Sequence, residues 1–145
     1  MVVPDVNVLV AASRADHPHH SVAMTWLSTV LIDSELGGGI GVLPVVASGY
    51  LRLVTHPRVF VEPTPLQLAV KSLDDLLAQP GVVMTDMGIE EWRLCRQLCL
   101  DKNLQANDIP DALIAAATRL LGAKLVSFDR GFAAFMTAAE LQILS

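Results

Sequence analysis

Apolar residues along the chain form short valine-rich runs that alternate with longer segments of helical spacing. The first run, residues 2–10, is interrupted by polar side chains at Asp5 and Asn7, and it predicts a strand that leads into a loop or helix. Three further short runs predict strands at residues 82–85, 125–128 and 141–144.

The intervening segments have the spacing of helices. They predict helices over residues 21–31, 44–54, 64–78, 88–100 and 110–121. In the segment 88–100 the predicted inner side consists of Ile89, Trp92, Cys95, Leu98 and Cys99. Strands separated by helices imply right-handed crossovers and a mainly parallel sheet that is covered on both faces. The pattern therefore predicts an α/β fold.

Composition narrows the class of protein without changing this prediction. With 145 residues, of which 52% are hydrophobic and 17% charged, we expect a single domain over residues 1–145. The net charge of −5 disfavours a protein that holds nucleic acid by bulk electrostatics alone. The first ten residues lack the features of a signal peptide, and no apolar run reaches the roughly 18 residues of a membrane span, so we expect a cytoplasmic protein. The thiols of Cys95 and Cys99 are accordingly expected to be reduced.

Asp5 is the first candidate for chemistry. It lies in a run that otherwise predicts burial, and a buried carboxylate needs a charged partner, strong hydrogen bonds or a metal ion. Asp5 and Asn7 would point to the same side of extended backbone. The structural alternative is a turn or cap at the strand end.

Three more aspartates start helices or follow strands. Asp108 and Asp111 stand at the start of a predicted helix, where acidic residues complement the dipole, and their spacing also puts them on one face for metal ligation. Asp129 follows the strand at residues 125–128, where a turn equally explains it. Carboxylates at the carboxyl ends of parallel strands can converge, and such a cluster repels itself unless a cation lies between. Oxygen ligands of this type suit Mg²⁺ or Mn²⁺.

The order of these motifs carries a family resemblance. The segments PDVNVLV, GYLRLVTHPRVF and NDIPDALIAAATRLLGAKLVSFDRGFAAF resemble the PIN domain, in particular the VapC-type toxins of bacterial toxin–antitoxin pairs, over residues 4–144. The resemblance implies a three-layer α/β/α sandwich, bound Mg²⁺ or Mn²⁺, and endonucleolytic cleavage of RNA. It matches Asp5 with its polar neighbour Asn7, Asp111 and Asp129 to the family's site. It also implies a homodimer and a cognate antitoxin.

The chain departs from the family at one position. Many members carry a glutamate before the segment that matches GYLRL, and its place here falls near Ala47. We expect Asp108 or water to complete the metal shell. In this hypothesis Asp5, Asp111 and Asp129 bind the metal ions that activate a water, and Asn7 orients a ligand or that water.

Candidate substrate contacts come from scattered cations. Arg52, His56 and Arg58 form a local basic group, for which cations that complement a helix C-terminus are the structural alternative. Arg14 and Arg130 flank the predicted site in sequence and are candidates for phosphate or antitoxin contact. The histidines at positions 17, 19 and 20 lack the spacing of a helical metal-ligand pair and are expected in a loop and helix start. Trp26 and Trp92 are expected in the core.

Two rival functions stay open at this point. A phosphoacceptor receiver domain has a similar size and sheet, and Asp86 and Lys124 would fit its acceptor and its lysine, but the acidic pair after its first strand is missing. The second rival is a catalytically weakened PIN module that binds RNA or a protein partner without cutting, which the missing glutamate supports.

Overall fold

Strands and helices alternate along the chain in the computed structural model, which describes residues 1–35 and 38–145. The elements are β1 (Val2–Pro4), α1 (Val6–Ser13), α2 (His20–Glu35), β2 (Ile40–Val42), α3 (Pro44–Val54), α4 (Leu66–Leu77), β3 (Val82–Met84), α5 (Ile89–Lys102), α6 (Asp108–Leu120), β4 (Lys124–Ser127), a 3₁₀ helix (Arg130–Ala134) and β5 (Leu141–Ile143). Among the helices of these residues, none combines the length and hydropathy needed to span a membrane.

The strands form one parallel sheet in the order β3-β2-β1-β4-β5. Its two faces are both covered. Along β4, Leu125 belongs to the large core, whereas the next residue, Val126, packs with Val8 of α1 and Trp26 of α2 in a second cluster. The predicted three-layer α/β/α architecture is confirmed.

The strand order places a crevice in the middle of the sheet. From β1 the chain proceeds through β2 to β3 on one side, then returns to β4 on the other side of β1. In open parallel sheets ligands bind beyond the carboxyl ends of the strands where the order reverses. Here that point lies between β1 and β4, directly before Asp5 and close to Asp129.

Two details of the strands differ from the sequence pattern. The first strand leads into a helix, as one of the two predicted continuations, but it already ends at Pro4, and Asp5 caps α1 by accepting a 2.7 Å hydrogen bond at Oδ1 from the backbone N–H of Val6. Asn7 therefore lies in a helix, not in extended backbone, because the aspartate cap starts the helix inside the apolar run. The second difference is β2, which the pattern did not predict because Gly41 and the glycines before it are typical of a loop.

The apolar face of α5 is narrower than predicted. Cys95 and Leu98 are buried, as expected, but Trp92 is 55% exposed and Ile89 is also exposed. α5 packs along α6, and its buried residues lie in its middle turns. Trp26, by contrast, is buried as predicted.

Candidate active site

A polar crevice of about 610 Å³ opens beyond the carboxyl ends of β1 and β4. Its lining comes from four parts of the chain: the start of α1, one face of α3, the start of α6 and the turn after β4. These residues are Asp5, Val6, Asn7, Val45, Ser48, Gly49, Arg52, Leu53, Asn107, Pro110, Asp111, Ile114 and Asp129. The crevice thus brings together the three aspartates and the asparagine that the sequence predicted, and their chemical roles stay predictions.

Asp5 is the most deeply placed of the carboxylates. One oxygen accepts from Val6 N–H, and Oδ2 accepts a 2.8 Å hydrogen bond from the hydroxyl of Ser127. Burial raises the pKa of Asp5, these two hydrogen bonds oppose that rise, and the nearby charge of Asp129 adds to it. The protein therefore holds this carboxylate in place while leaving its charge incompletely compensated.

Ser127 is the residue that sequence reasoning missed. It is fully buried at the end of β4, and its hydroxyl donates to Asp5 while accepting from the Asn7 amide Nδ2 (3.2 Å) and from the backbone N–H of Asp129 (2.9 Å). One donor and two acceptors saturate a hydroxyl. A polar residue inside the apolar segment LVSF was the available signal, because a buried hydroxyl requires partners.

Asn7 connects the start of α1 to the end of β4. Its Oδ1 accepts a 3.2 Å hydrogen bond from the backbone N–H of Phe128, while its Nδ2 donates to Ser127. Both ends of the amide are engaged, so this side chain fixes the turn that carries Asp129. Its predicted role, to orient a ligand or the water, stays a prediction.

The pKa of Asp111 is affected by its burial and by the other carboxylates of the crevice. Its pKa is raised to about 6, first by burial and then by the charges of Asp5, Asp129 and Asp108. Asp129 is exposed and caps the 3₁₀ helix, its Oδ1 accepting a 2.7 Å hydrogen bond from Gly131 N–H. The charges of Asp5 and Asp129 therefore act on Asp111 across the crevice.

Asp108 and Asp86 lie outside the lining. Asp108 is exposed in the first turn of α6, close enough to affect the pKa of Asp111. Asp86 follows β3, the edge strand, which is separated from β1 by β2 and hence by about 10 Å. Asp86 is therefore not part of the crevice that contains Asp5, and the receiver-domain arrangement loses its acceptor.

The arginines predicted to contact substrate lie in different places: some at the crevice and others away from it. Arg52, in the last turn of α3, lines the crevice. Arg14 is engaged elsewhere: its guanidinium donates to the carbonyl of Glu62 (2.7 Å) and to Asp16, and it lies 4.0 Å from the ring centre of Phe60. Its side chain is 11% exposed, so the expectation that it contacts phosphate is replaced by a structural role.

The remaining basic residues lie at the margins. Arg130 is exposed at the start of the 3₁₀ helix, next to Asp129. α3 ends at Val54, so the helix does not extend to His56, whose ring Nδ1 instead accepts from the backbone N–H of Arg58. Only Arg52 of this basic group is among the crevice residues.

The position of the missing glutamate falls on the inner side of α3. Ala47 is buried in the core, whereas its neighbour Ser48 is exposed and lines the crevice. The residues of α3 that line the crevice are Val45, Ser48, Gly49, Arg52 and Leu53. This wall therefore supplies a hydroxyl and a cation where an acid was expected.

The three crevice aspartates supply the oxygen ligands that a hard divalent cation prefers, although their side chains do not form a complete metal cage. Within residues 1–35 and 38–145, no group of three or more His, Cys, Asp or Glu side chains has the geometry of a metal site. The three crevice aspartates nevertheless offer only oxygen ligands and repel one another, which is the chemistry that Mg²⁺ or Mn²⁺ relieves. Mg²⁺ usually keeps several waters and takes one or two carboxylates, so these residues fit it without a complete cage.

Comparisons with known proteins agree with this geometry. A family model described as PIN domain matches residues 2–136. Ribonuclease VapC43 of Mycobacterium tuberculosis is 41% identical over 135 residues, covering 93% of this chain and 90% of that protein. Ribonuclease VapC31 of the same species is 33% identical over 142 residues, covering 98% of each.

Two solved structures share the fold at low sequence identity. VapC20 of Mycobacterium tuberculosis, described as a Sarcin-Ricin loop cleaving toxin, superposes with a TM-score of 0.72 at 13% identity over all of both chains. VapBC2 from Rickettsia felis, bound to a DNA fragment from their promoter, gives a TM-score of 0.70 at 17% identity, again over all of both chains. At these identities the likeness shows the fold alone.

Proposed function

The chain belongs to the PIN-domain family, and from this premise we propose that it is a metal-dependent endoribonuclease, the toxin of a type II toxin–antitoxin pair. It would act in the cytoplasm as a single domain and hydrolyse RNA phosphodiester bonds. The relatives named VapC ribonucleases, similar over nearly the whole chain, support the nuclease activity.

The observation that carries the proposal is the meeting of Asp5, Asp111 and Asp129 in one crevice. They come from positions far apart in the chain and converge where the strand order reverses. Burial, and then the charges of the neighbouring aspartates, raise the pKa of Asp111, so keeping this carboxylate ionised in the crevice is costly. A protein gains from such an arrangement when the crevice binds a cation.

Each residue has a proposed part in binding and positioning. Asp5, Asp111 and Asp129 would hold one or two Mg²⁺ or Mn²⁺ ions, with Asp108 as a further candidate ligand. The chemistry that the ions supply when bound is activation of a water and neutralisation of charge at the phosphate. Ser127 and Asn7 fix Asp5 and the turn at Asp129, so the ligands are positioned before substrate arrives.

The substrate would be held by cations at the rim of the crevice. Arg52 lines the crevice opposite the aspartates and is suited to pair with a phosphate of the RNA backbone. Arg130 lies beside Asp129 and is a second candidate. Local cations of this type compensate for the overall charge of −5, which would otherwise repel RNA.

For partners we propose a cognate antitoxin protein and a second copy of the chain. One structural neighbour was solved as VapBC2, which supports assembly with a partner in proteins of this fold. A small adjacent gene that encodes a DNA-binding protein would support the proposed toxin–antitoxin pair, provided that this protein co-purifies with the chain.

The test of the activity is cleavage of labelled RNA with Mg²⁺, Mn²⁺ or excess chelator. Wild type should cleave only with metal, and Asp5→Ala should lose at least about 100-fold in rate. Asp86→Asn, which removes a carboxylate outside the crevice, is the matched control and should cleave normally. Cleavage that persists in chelator or in Asp5→Ala would overturn the mechanism.

The buried Ala47, where an acid was expected, favours a second candidate function. In that case the crevice binds RNA or a protein partner without turnover. Cleavage that depends on Mn²⁺ would exclude this candidate, and metal-independent binding of RNA without any cleavage would establish it.

A further inference from the structure

The loop between α1 and α2 contains three histidines with different contacts. His17 accepts at Nδ1 from the backbone N–H of His19 (3.0 Å), and Nδ1 of His20 pairs with the carbonyl of Ala11 (2.8 Å). Backbone hydrogen bonds from His17 to Arg14 and from His20 to His17 close the same loop. The rings of His17 and His20 thus bond to the backbone of the loop, whereas the ring of His19 lies against other rings, with its centre 5.8 Å from that of His17 at a tilt of 42°.

The ring of His19 stacks on Phe128. The ring centres are 4.6 Å apart and the planes are inclined by only 18°. His19 is exposed, whereas Phe128 is half-buried and packs against the small core cluster that contains Trp26. The pair is therefore an aromatic stack anchored at one end in the core and open to solvent at the other.

The stack is linked to the acidic crevice through the chain, although neither ring is among the residues that line the crevice. Phe128 lies between Ser127, which holds Asp5, and Asp129, and its backbone N–H donates to Asn7. The hydrogen bonds that position the aspartates thus also position the residue whose ring supports His19. Because Phe128 directly precedes the crevice residue Asp129, we expect the stack to lie about one nucleotide from a phosphate bound at the aspartates.

We propose that His19 and Phe128 form a stacking platform for one unpaired nucleobase of RNA bound at the crevice. This inference rests on the proposed nuclease function and extends it to substrate selection. Single-stranded RNA is recognised largely by stacking of splayed bases on aromatic rings, histidine included. The platform selects RNA with an unpaired base at a fixed distance from the cut, and it favours purines, which stack more strongly.

The structural alternative is that His19 only covers Phe128 as a lid on the small core cluster. Two substitutions separate these roles. His19→Phe keeps an aromatic ring, and His19→Leu keeps an apolar cover but has no ring. Trp92→Ala removes an exposed aromatic on α5, outside the crevice lining, and serves as the control.

The probe is a set of labelled nonameric oligoadenylates in which one abasic nucleotide is moved from position to position. Binding is measured by anisotropy in an Asp5→Asn background, and cleavage in the otherwise unaltered chain. We expect His19→Leu to weaken binding by about 10-fold and to raise KM with little change in kcat. His19→Phe and Trp92→Ala should stay within about threefold of the parent chain.

The abasic series gives the decisive readout. In the parent chain one abasic position should weaken binding by about 10-fold, and in His19→Leu that same position should cause no further loss. The platform is refuted if the loss caused by the abasic position and the loss caused by His19→Leu multiply. It is also refuted if His19→Leu binds RNA as tightly as His19→Phe. In either case the nuclease proposal still stands on cleavage by the wild type. If wild type neither binds nor cleaves any probe, both proposals fail together.

Discussion

Asp111→Asn tests whether the crevice stores electrostatic repulsion. The substitution keeps the shape of the side chain and removes its charge. A carboxyl pKa raised from 3.8 to about 6 corresponds to about 3 kcal/mol of destabilisation when the group is ionised. Asp111 is only partly buried, so solvent screening reduces this to about 1–2 kcal/mol.

The raised pKa of Asp111 determines whether stability rises or falls with pH. Below about pH 4 the group is protonated in both the folded and the unfolded chain and costs nothing. Between about pH 4 and pH 6 the folded state binds more protons, so this group lowers stability as the pH rises, and above pH 6 the full cost is present. Asp111→Asn should therefore be more stable than wild type by about 1–2 kcal/mol at pH 8 in chelator, with the gain vanishing near pH 4.

The assay is urea unfolding at pH 4 and pH 8, with chelator or Mg²⁺. Mg²⁺ should stabilise wild type at pH 8 and stabilise Asp111→Asn much less, because binding to the folded state alone adds to its stability. Asp74→Asn is the control: Asp74 is exposed on α4, outside the crevice lining, and losing its charge should change stability by less than about 1 kcal/mol. Equal stability of Asp111→Asn and wild type at both pH values would refute the electrostatic argument.

Three further substitutions test the supports of the site. Ser127→Ala removes three buried hydrogen bonds and should cost about 1–3 kcal/mol in urea unfolding; it should also weaken Mg²⁺ binding, and unchanged Mg²⁺ affinity would contradict its positioning role. Gly49→Ala places a Cβ 2.8 Å from Cγ2 of Val6, a clash that should destabilise the fold by about 1–3 kcal/mol. This cost should outweigh the roughly 1 kcal/mol that the higher helix propensity of alanine contributes, so the variant should be less stable than the wild type. In a Val6→Ala background the same change should become neutral or stabilising, and an unchanged cost there would exclude the clash. Arg14→Ala removes the contacts to Glu62 and Phe60 and should speed amide hydrogen exchange in residues 55–65. Arg14→Lys should restore little of the protection, because lysine lacks the planar guanidinium that makes both contacts. Exchange rates equal to those of the wild type would refute this structural role of Arg14.

Local patterns were sufficient for the helices and for most of the sheet. Pro44 starts α3, Gly122 with φ 63° follows α6, and the period of the apolar residues between such signals is a property of a few neighbouring positions. The alternation of strands and helices then restricts the topology to a parallel sheet, which the structure confirms. β2 was missed because Gly41 and the glycines before it are typical of a loop.

Local patterns were less reliable where one residue type supports two structures. An aspartate within an apolar run fits both a strand end and a helix cap, and the hydrogen bond from Val6 N–H decides for the cap. The exposure of Trp92 is decided by how the helices pack, and the spacing of apolar residues within α5 does not contain that information. The engagement of Arg14 with the segment around Phe60 is likewise a contact between distant parts of the chain.

By itself, the sequence determined the α/β class, the order of its elements and the placement of carboxylates after strands and at a helix start. Only the tertiary structure decided that Ser127 holds Asp5, two residues separated by 122 positions, and that Asp86 lies away from them. The physical reason is range: capping and periodicity act over a few residues, whereas the crevice exists only when β1 and β4 pair. The stack of His19 on Phe128 arises in the same way, because pairing of these strands brings the end of β4 beside the loop that follows α1.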